Sequence, residues 1–397
     1  METVNTAARA LVARLHNLHE IFRVQGEILL YGEAAVEPLA EFLLSPSSTF
    51  PQPRVAAAEC LGILGSERAI DALVCVLEYN DLQIIGPVQR LAEETVRNAA
   101  ARQLGRFPLP RVIAALLAAL QQDHLIEAGV ALAQLGEARA ISSLLECLED
   151  DVKKEKATEA LRHFGHAAVP ALQDALCQPR LIDGMEPPVS QERRARAAEL
   201  LGELSAREAI PALRERLRDE SSKVRLECAL ALAALLGTEA QEGASILVVG
   251  LADQDFLIQT RCEESLQALR ETATPALVRA AQGLPFHMSY GEEESVTLRE
   301  RLAALRLLGK IGDGRILTPL CVLLQDPEER IRGEAILALR GRSDPQVRAV
   351  LEHTARHDHS KAVRSVARTA LEQRREEGQN HYKRRGGPCG FGGARKT

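Results

Sequence analysis

Leu, Ile, Val and Ala recur along most of the chain at i, i+3, i+4 and i+7, as at Val224, Cys228, Leu230, Ala231 and Leu235. That spacing puts the apolar side chains on one face and predicts amphipathic helices. The periodicity is broken repeatedly in one way. LGSERAIDAL (64–73), LGEARAISSL (135–144), LSAREAIPAL (204–213) and IGDGRILTPL (311–320) align without gaps. Each has a small or helix-breaking residue, one or two polar residues, an apolar pair and a Leu, the pattern of a tight turn that starts a second helix. FPLPRVIAAL (107–116) puts Pro108 in place of the Gly, YGEAAVEPL (31–39) and FGHAAVPAL (164–172) form a matching pair, and TPAL (274–277) is a weaker echo. The prediction is an all-α array of roughly nine or ten helical hairpins, with each hairpin burying its apolar face against the next.

Arginine recurs in the first turn of the helix before these turns: Arg54, Arg97, Arg194, Arg225, Arg301, Arg332 and Arg364, with Gln259 as the exception. Asp219, Asp326 and Asp358 lie shortly before several of them, so an Asp–Arg ladder is expected to tie successive loops together. The repeat length is uneven. Counted from the apolar residue three before each Leu, the interval is about 28 residues for Ile113 to Ile141 and Ile141 to Val169, but about 41 to 43 for Ile70 to Ile113, Val169 to Ile210 and Thr274 to Leu317. Extra residues therefore stand near 78–89, 180–191 and 283–295, with a shorter Pro/Ser segment at 45–53. All lie between repeats, where connections fall on one edge of a helical array, and they make a candidate binding edge. The scarce residues Phe50, Tyr79, Met185, Phe286, Met288 and Tyr290 are concentrated there, and aromatics and Met are the side chains that anchor interfaces. Packing of the loops down onto their own helices is the competing account of the same residues.

The repeated Leu-Gly-x-x-x-x-Ala-Ile-x-x-Leu core, with Val96-Arg97, Val224-Arg225, Ile331-Arg332 and Val363-Arg364 opening the following helix, resembles the HEAT-repeat family. The likeness is to the short HEAT-like repeats shared with phycobilisome lyases and many bacterial proteins, over about residues 20–373. The resemblance implies a right-handed α-α superhelix, a HEAT-like α-solenoid, acting as a noncatalytic scaffold or adaptor for a protein partner. The alternative it raises is a phycobilin-lyase-like factor, although no catalytic residue carries over. A HEAT-like iron hydroxylase is a further case, but it would need several His-Glu pairs and only His19-Glu20 occurs.

Composition agrees with thin layers of small apolar side chains: 46% hydrophobic, 3% aromatic and no Trp. The net charge of −6 gives the body no basic footprint for nucleic acid, and no apolar run is long enough to span a membrane, so a cytoplasmic protein is expected. Cys60, Cys75, Cys147, Cys177, Cys228, Cys262 and Cys321 fall in helical apolar patterns without CxxC spacing and read as reduced core residues. The array should end at 373, leaving 374–397 as a disordered Gly-rich tail with Lys383, Arg384, Arg385, Arg395, Lys396 and the exposed Cys389. Such a tail would solubilise the chain or tether RNA, membrane phosphates or an acidic partner, the one place where nucleic acid would bind. His353 and His357 share a helix face with His359 nearby, but no Cys or His completes a ligand set, so no metal and no cofactor is expected. No P-loop, nucleophile elbow or dinucleotide fingerprint occurs.

Overall fold

The computed structural model describes residues 2–45, 50–78, 86–287, 293–340, 342 and 344–384. The chain divides into two units, Met1–Ala206 and Arg207–Thr397, and each is an α-solenoid segment.

In the first unit, after an opening helix Glu2–Ala13, first helices Ile21–Leu29, Gln52–Leu64, Pro87–Leu104, Ile126–Gln134 and Lys154–Phe164 alternate with second helices Val36–Leu44, Glu67–Leu77, Pro110–Asp123, Ile141–Cys147 and Val169–Cys177. Helix Pro188–Glu203 closes it. The second unit opens with Ile210–Arg216. It then alternates Ser222–Leu236, Phe256–Leu269, Leu298–Ile311 and Glu329–Leu339 with Ala244–Gly250, Thr274–Ala281, Leu317–Leu323 and Pro345–His357, ending on Lys361–Arg384.

The repeated turn works as its residues dictate. Gly65 caps Gln52–Leu64 in the left-handed region at φ +62°, and Ser66 then accepts from Ala69 N at 3.4 Å to start the next helix. Ser205 holds the glycine position of its own turn at φ +55°. The repeat's Leu is fully buried in copy after copy, at Leu73, Leu116, Leu144 and Leu172 in the first unit and Leu213, Leu277 and Leu320 in the second. Each such burial stabilises by about 1.5–3 kcal/mol, so the array holds itself together without large rings.

Two expectations are corrected. Helix Lys361–Arg384 does not stop at 373, because the Glu, Gln and Arg that follow are good helix formers and Gly378 costs only about 1 kcal/mol. Residues 374–384 continue that helix, while 385–397, with Cys389, lies outside the described residues. The insertion at 283–295 contains a short antiparallel pair, Phe286–His287 with Glu293–Glu294, which leaves the array all-α as expected. Finally, Cys60, Cys147, Cys228 and Cys262 are buried, but Cys75 is exposed and Cys177 and Cys321 are half-buried. These last three sit on the flanks of second helices rather than in the core. Burial pushes the thiols of Cys60 and Cys262 up to about 12.

Candidate functional site

The first-turn arginines pin the joints between repeats, in two ways. At a joint without an insertion, an Asp begins the loop, accepts the backbone N–H two residues on, and offers its own carbonyl to the Arg or Gln six residues on. Asp219 Oδ1 accepts from Ser221 N at 3.0 Å, and Arg225 Nη1 donates to Asp219 O at 2.8 Å and Glu220 O at 3.0 Å. Asp326 with Glu328 and Arg332, and Asp358 with Ser360 and Arg364, repeat the arrangement. Gln259 serves Asp253 in the same way. The Asp thus meets the Arg of its own loop through its carbonyl, whereas its carboxylate is taken by the Arg one repeat earlier: Arg301 on Asp326 and Arg332 on Asp358.

At a joint that carries an insertion, the Arg reaches back instead to the last turn of the preceding second helix. Arg54 Nε donates to Leu43 O at 2.8 Å, Arg97 Nη2 to Leu77 O at 2.7 Å, Arg194 Nε to Leu176 O at 3.0 Å and Arg301 Nε to Ala281 O at 3.0 Å. Those carbonyls have no partner within their own helix, and a buried cation there complements the negative end of the dipole. Helix end and helix start stay clamped whatever the length of chain between them, and at the joint held by Arg194 the described insertion leaves as an excursion.

This excursion runs from Gln178 to Pro187. Asp183 and Gly184 take φ of +51° and +81°, and Ile182 and Met185 exchange both backbone hydrogen bonds, at 2.8 and 3.0 Å. This is the two-residue, doubly positive-φ turn that Asp-Gly favours. Leu181, Ile182 and Met185 are 59%, 62% and 73% exposed at its tip. Its base is polar and part-buried, with Ser190, Arg193 and Arg194 inside and Gln178 and Arg180 at the surface. Ser190, fully buried, accepts from Arg180 N at 3.0 Å and donates to Glu186 Oε1 at 2.7 Å, while Glu186 Oε2 takes Arg194 Nη1 at 2.8 Å. Arg193 Nη2 donates to Gln178 O at 2.9 Å, and Glu149 lies 3.1 Å from both Arg180 and Arg193. An apolar tip is thereby held on an ionic root.

Of the sequence-predicted contact residues, Met185 and Phe50 are exposed. Phe286 is not: it is 4% exposed, its ring turned inward from the short β-ladder, so it is removed from the candidate surface. Tyr79, Met288 and Tyr290 lie outside the described residues. Nothing brings Phe50 and Met185 into one contact set. Val88, at the end of the 78–89 insertion, Leu91, early in Pro87–Leu104, and Phe256 and Leu257, in the first turn of Phe256–Leu269, are large exposed apolar residues that the choice of scarce aromatics and Met does not single out. Paired apolar residues straight after a loop are the available signal. His353 and His357 are exposed with ring centroids 4.7 Å apart. Among the described residues no group of three His, Cys, Asp or Glu is placed to hold a metal ion, and no helix is long and apolar enough to cross a membrane.

A family model for HEAT repeats matches residues 87–162, 178–267 and 298–372, and one for the PBS lyase HEAT-like repeat matches 53–78. Among solved structures, the karyopherin Kap121p bound to the extreme C-terminus of the protein phosphatase Cdc14p is 12% identical, with 93% of this chain and 41% of that one covered at a TM-score of 0.50. Kap95p with RanGDP is also 12% identical, covering 92% and 55% at 0.51. The complex of CpcE and CpcF of phycocyanin lyase from Nostoc sp. is 19% identical, covering 68% and 93% at 0.31. The chain thus spans about half the length, or less, of these karyopherins. No curated protein matches. The karyopherin likenesses concern the fold alone, but the family matches run over most of the array whose turns and clamped joints are described above, and on that ground the chain belongs to the HEAT-repeat family.

Proposed function

We propose that the chain is a noncatalytic scaffold of the cytoplasm that holds a protein partner along its inter-repeat edge, with the 178–187 hairpin as an anchor. The observation that carries the reading is the contrast within that hairpin. Its root is fixed by the Ser190, Glu186 and Arg194 network, while three large apolar side chains stand in water at its tip. Exposing them costs free energy in the isolated chain, and a rigid apolar projection loses little entropy on docking. Karyopherins of similar fold hold the phosphatase tail and RanGDP, so an array of this kind is suited to gripping proteins. The phycobilin-lyase-like alternative has only the repeat at 53–78 in its favour, and repeat type specifies architecture rather than chemistry.

A photo-crosslinking amino acid placed at position 185 in the native cell tests this. A single crosslinked protein of reproducible identity is the expected result. No crosslinked protein, or the same spread of proteins as a crosslinker at exposed Glu208 gives, would contradict it.

A further inference from the structure

The second unit has a groove of about 830 Å³ along its first helices, between Phe256–Leu269, Leu298–Ile311 and Glu329–Leu339. Leu251, Ala303 and Leu307 give it an apolar floor, and Leu337, 46% exposed, stands on its wall. Gly309 keeps the floor shallow: a Cβ there would lie 3.1 Å from Ala338 Cα, so the two helices touch through backbone.

Charge along the first helices is elsewhere matched between neighbours, as in Arg261 with Glu227 at 2.8 Å and Arg102 and Lys156 on Glu127. The groove starts in that manner, with Lys310 on Glu263 at 2.5 Å and Arg306 on Glu334 at 3.0 Å. Its far end does not. Arg340 and Arg342 have no carboxylate partner among the described residues. Arg342 donates Nη1 to Gly312 O, yet its Nη2 is buried with no acceptor among the described residues. That nitrogen is closed to solvent, so an incoming carboxylate meets the exposed Arg340 guanidinium, to which it can make charge-assisted hydrogen bonds, with the Arg342 charge at the same end of the groove.

We infer that this groove takes an extended segment of a partner protein in which an Asp or Glu, seated on Arg340 and Arg342, is flanked by a Leu- or Ile-sized residue on the floor. The inference rests on the scaffold reading and adds a second surface to it. Glu263 and Glu334 decide against nucleic acid, since two carboxylates interrupt the cationic track that a phosphate backbone requires. A peptide with a single acidic side chain beside an apolar one avoids them.

The test uses a random-peptide library displayed on phage, selected against the full chain and against Arg340→Glu and Arg342→Glu. Arg340 makes no side-chain hydrogen bond among the described residues, so its variant keeps the test valid even if losing the Arg342 bond to Gly312 O harms folding. Selection of peptides with Asp or Glu next to Leu or Ile, bound roughly tenfold more weakly by Arg340→Glu, is expected. Selected peptides without an acidic residue, or equal binding to both proteins, would overturn the inference. So would binding of a fluorescein-labelled single-stranded oligonucleotide that Arg340→Glu abolishes. If peptide selection fails while the position-185 crosslink persists, only the groove assignment falls; if both fail, the scaffold reading falls with it.

Discussion

Arg332 and Asp358 meet as a buried bidentate pair, Nε to Oδ2 at 2.9 Å and Nη2 to Oδ1 at 3.1 Å, while the remaining guanidinium nitrogen of Arg332 donates to Asp326 O at 2.9 Å. One side chain therefore ties its own loop to the next one. Its side chain is 2% exposed and that of Asp358 is 5% exposed, so removing either partner strands the other in a dry site.

Arg332→Ala should cost about 3–5 kcal/mol, the scale for breaking a buried ion pair from one side. Arg225→Ala, at a half-buried joint whose Arg donates to Asp219 O and Glu220 O, should cost only about 1 kcal/mol. Urea unfolding followed by circular dichroism ranks the two. Equal losses would show that the pair, as opposed to the carbonyl clamp, adds nothing.

The same pair fixes a pH dependence. Burial works to raise the Asp358 carboxyl, but the hydrogen bond and charge of Arg332, with the Ser360 N–H, bring it below the usual carboxylate range. A depressed folded value means that this stabilisation is complete above the unfolded value of about 4 and is lost as pH falls from there through the folded value. Melting temperatures of the wild type and Asp358→Asn should converge as the pH is lowered through that window. A constant gap between them would contradict the assignment.

Ser205 occupies, at φ +55°, a turn position that glycine holds at Gly65 and Gly136. Relief of left-handed strain outweighs the added freedom of the unfolded chain, so Ser205→Gly should stabilise by about 0.5–1 kcal/mol. Gly65→Ala should destabilise by a similar or larger amount, because its Cβ also meets the Phe107 ring at 3.3 Å. Thermal unfolding gives both signs.

Thiol accessibility separates the cysteines that sequence treats alike. Cys75 should be labelled by a maleimide in the native state, whereas Cys60 and Cys262, buried and held to about 12, should react only on unfolding. Peptide mapping by mass spectrometry distinguishes them.

What is legible in the sequence follows from periodicity. The turn and the buried Leu recur, so Leu73, Leu144 and Leu320 are identifiable by alignment of the chain with itself. The ladder arginines are visible for the same reason, but the division of labour at Asp326 and Asp358, carbonyl to one Arg and carboxylate to another, depends on three-dimensional offset between repeats. The pairing of Phe286–His287 with Glu293–Glu294 is not legible, since strands of two residues carry no alternation. Phe286 shows the limit of composition: an aromatic in an insertion has the same sequence signature whether it turns inward or outward. The helix beyond 373 lacks an apolar stripe, and periodicity alone cannot tell it from a tail. The groove at Arg342 gathers Glu263, Lys310 and Arg342 from different repeats, and no local spacing announces it.

Whether the apolar hairpin tip holds the partner is measured most directly by quantitative affinity purification from the native cell. The wild-type chain and the double variant Ile182→Asp, Met185→Asp are compared at equal helicity and melting temperature. Both side chains lie outside the Ser190, Glu186 and Arg194 root, so the fold should be unchanged. The account predicts a partner enriched with the wild type and depleted at least tenfold with the variant, on the order of 1.4 kcal/mol or more of binding. Equal recovery of that partner by both proteins would contradict it.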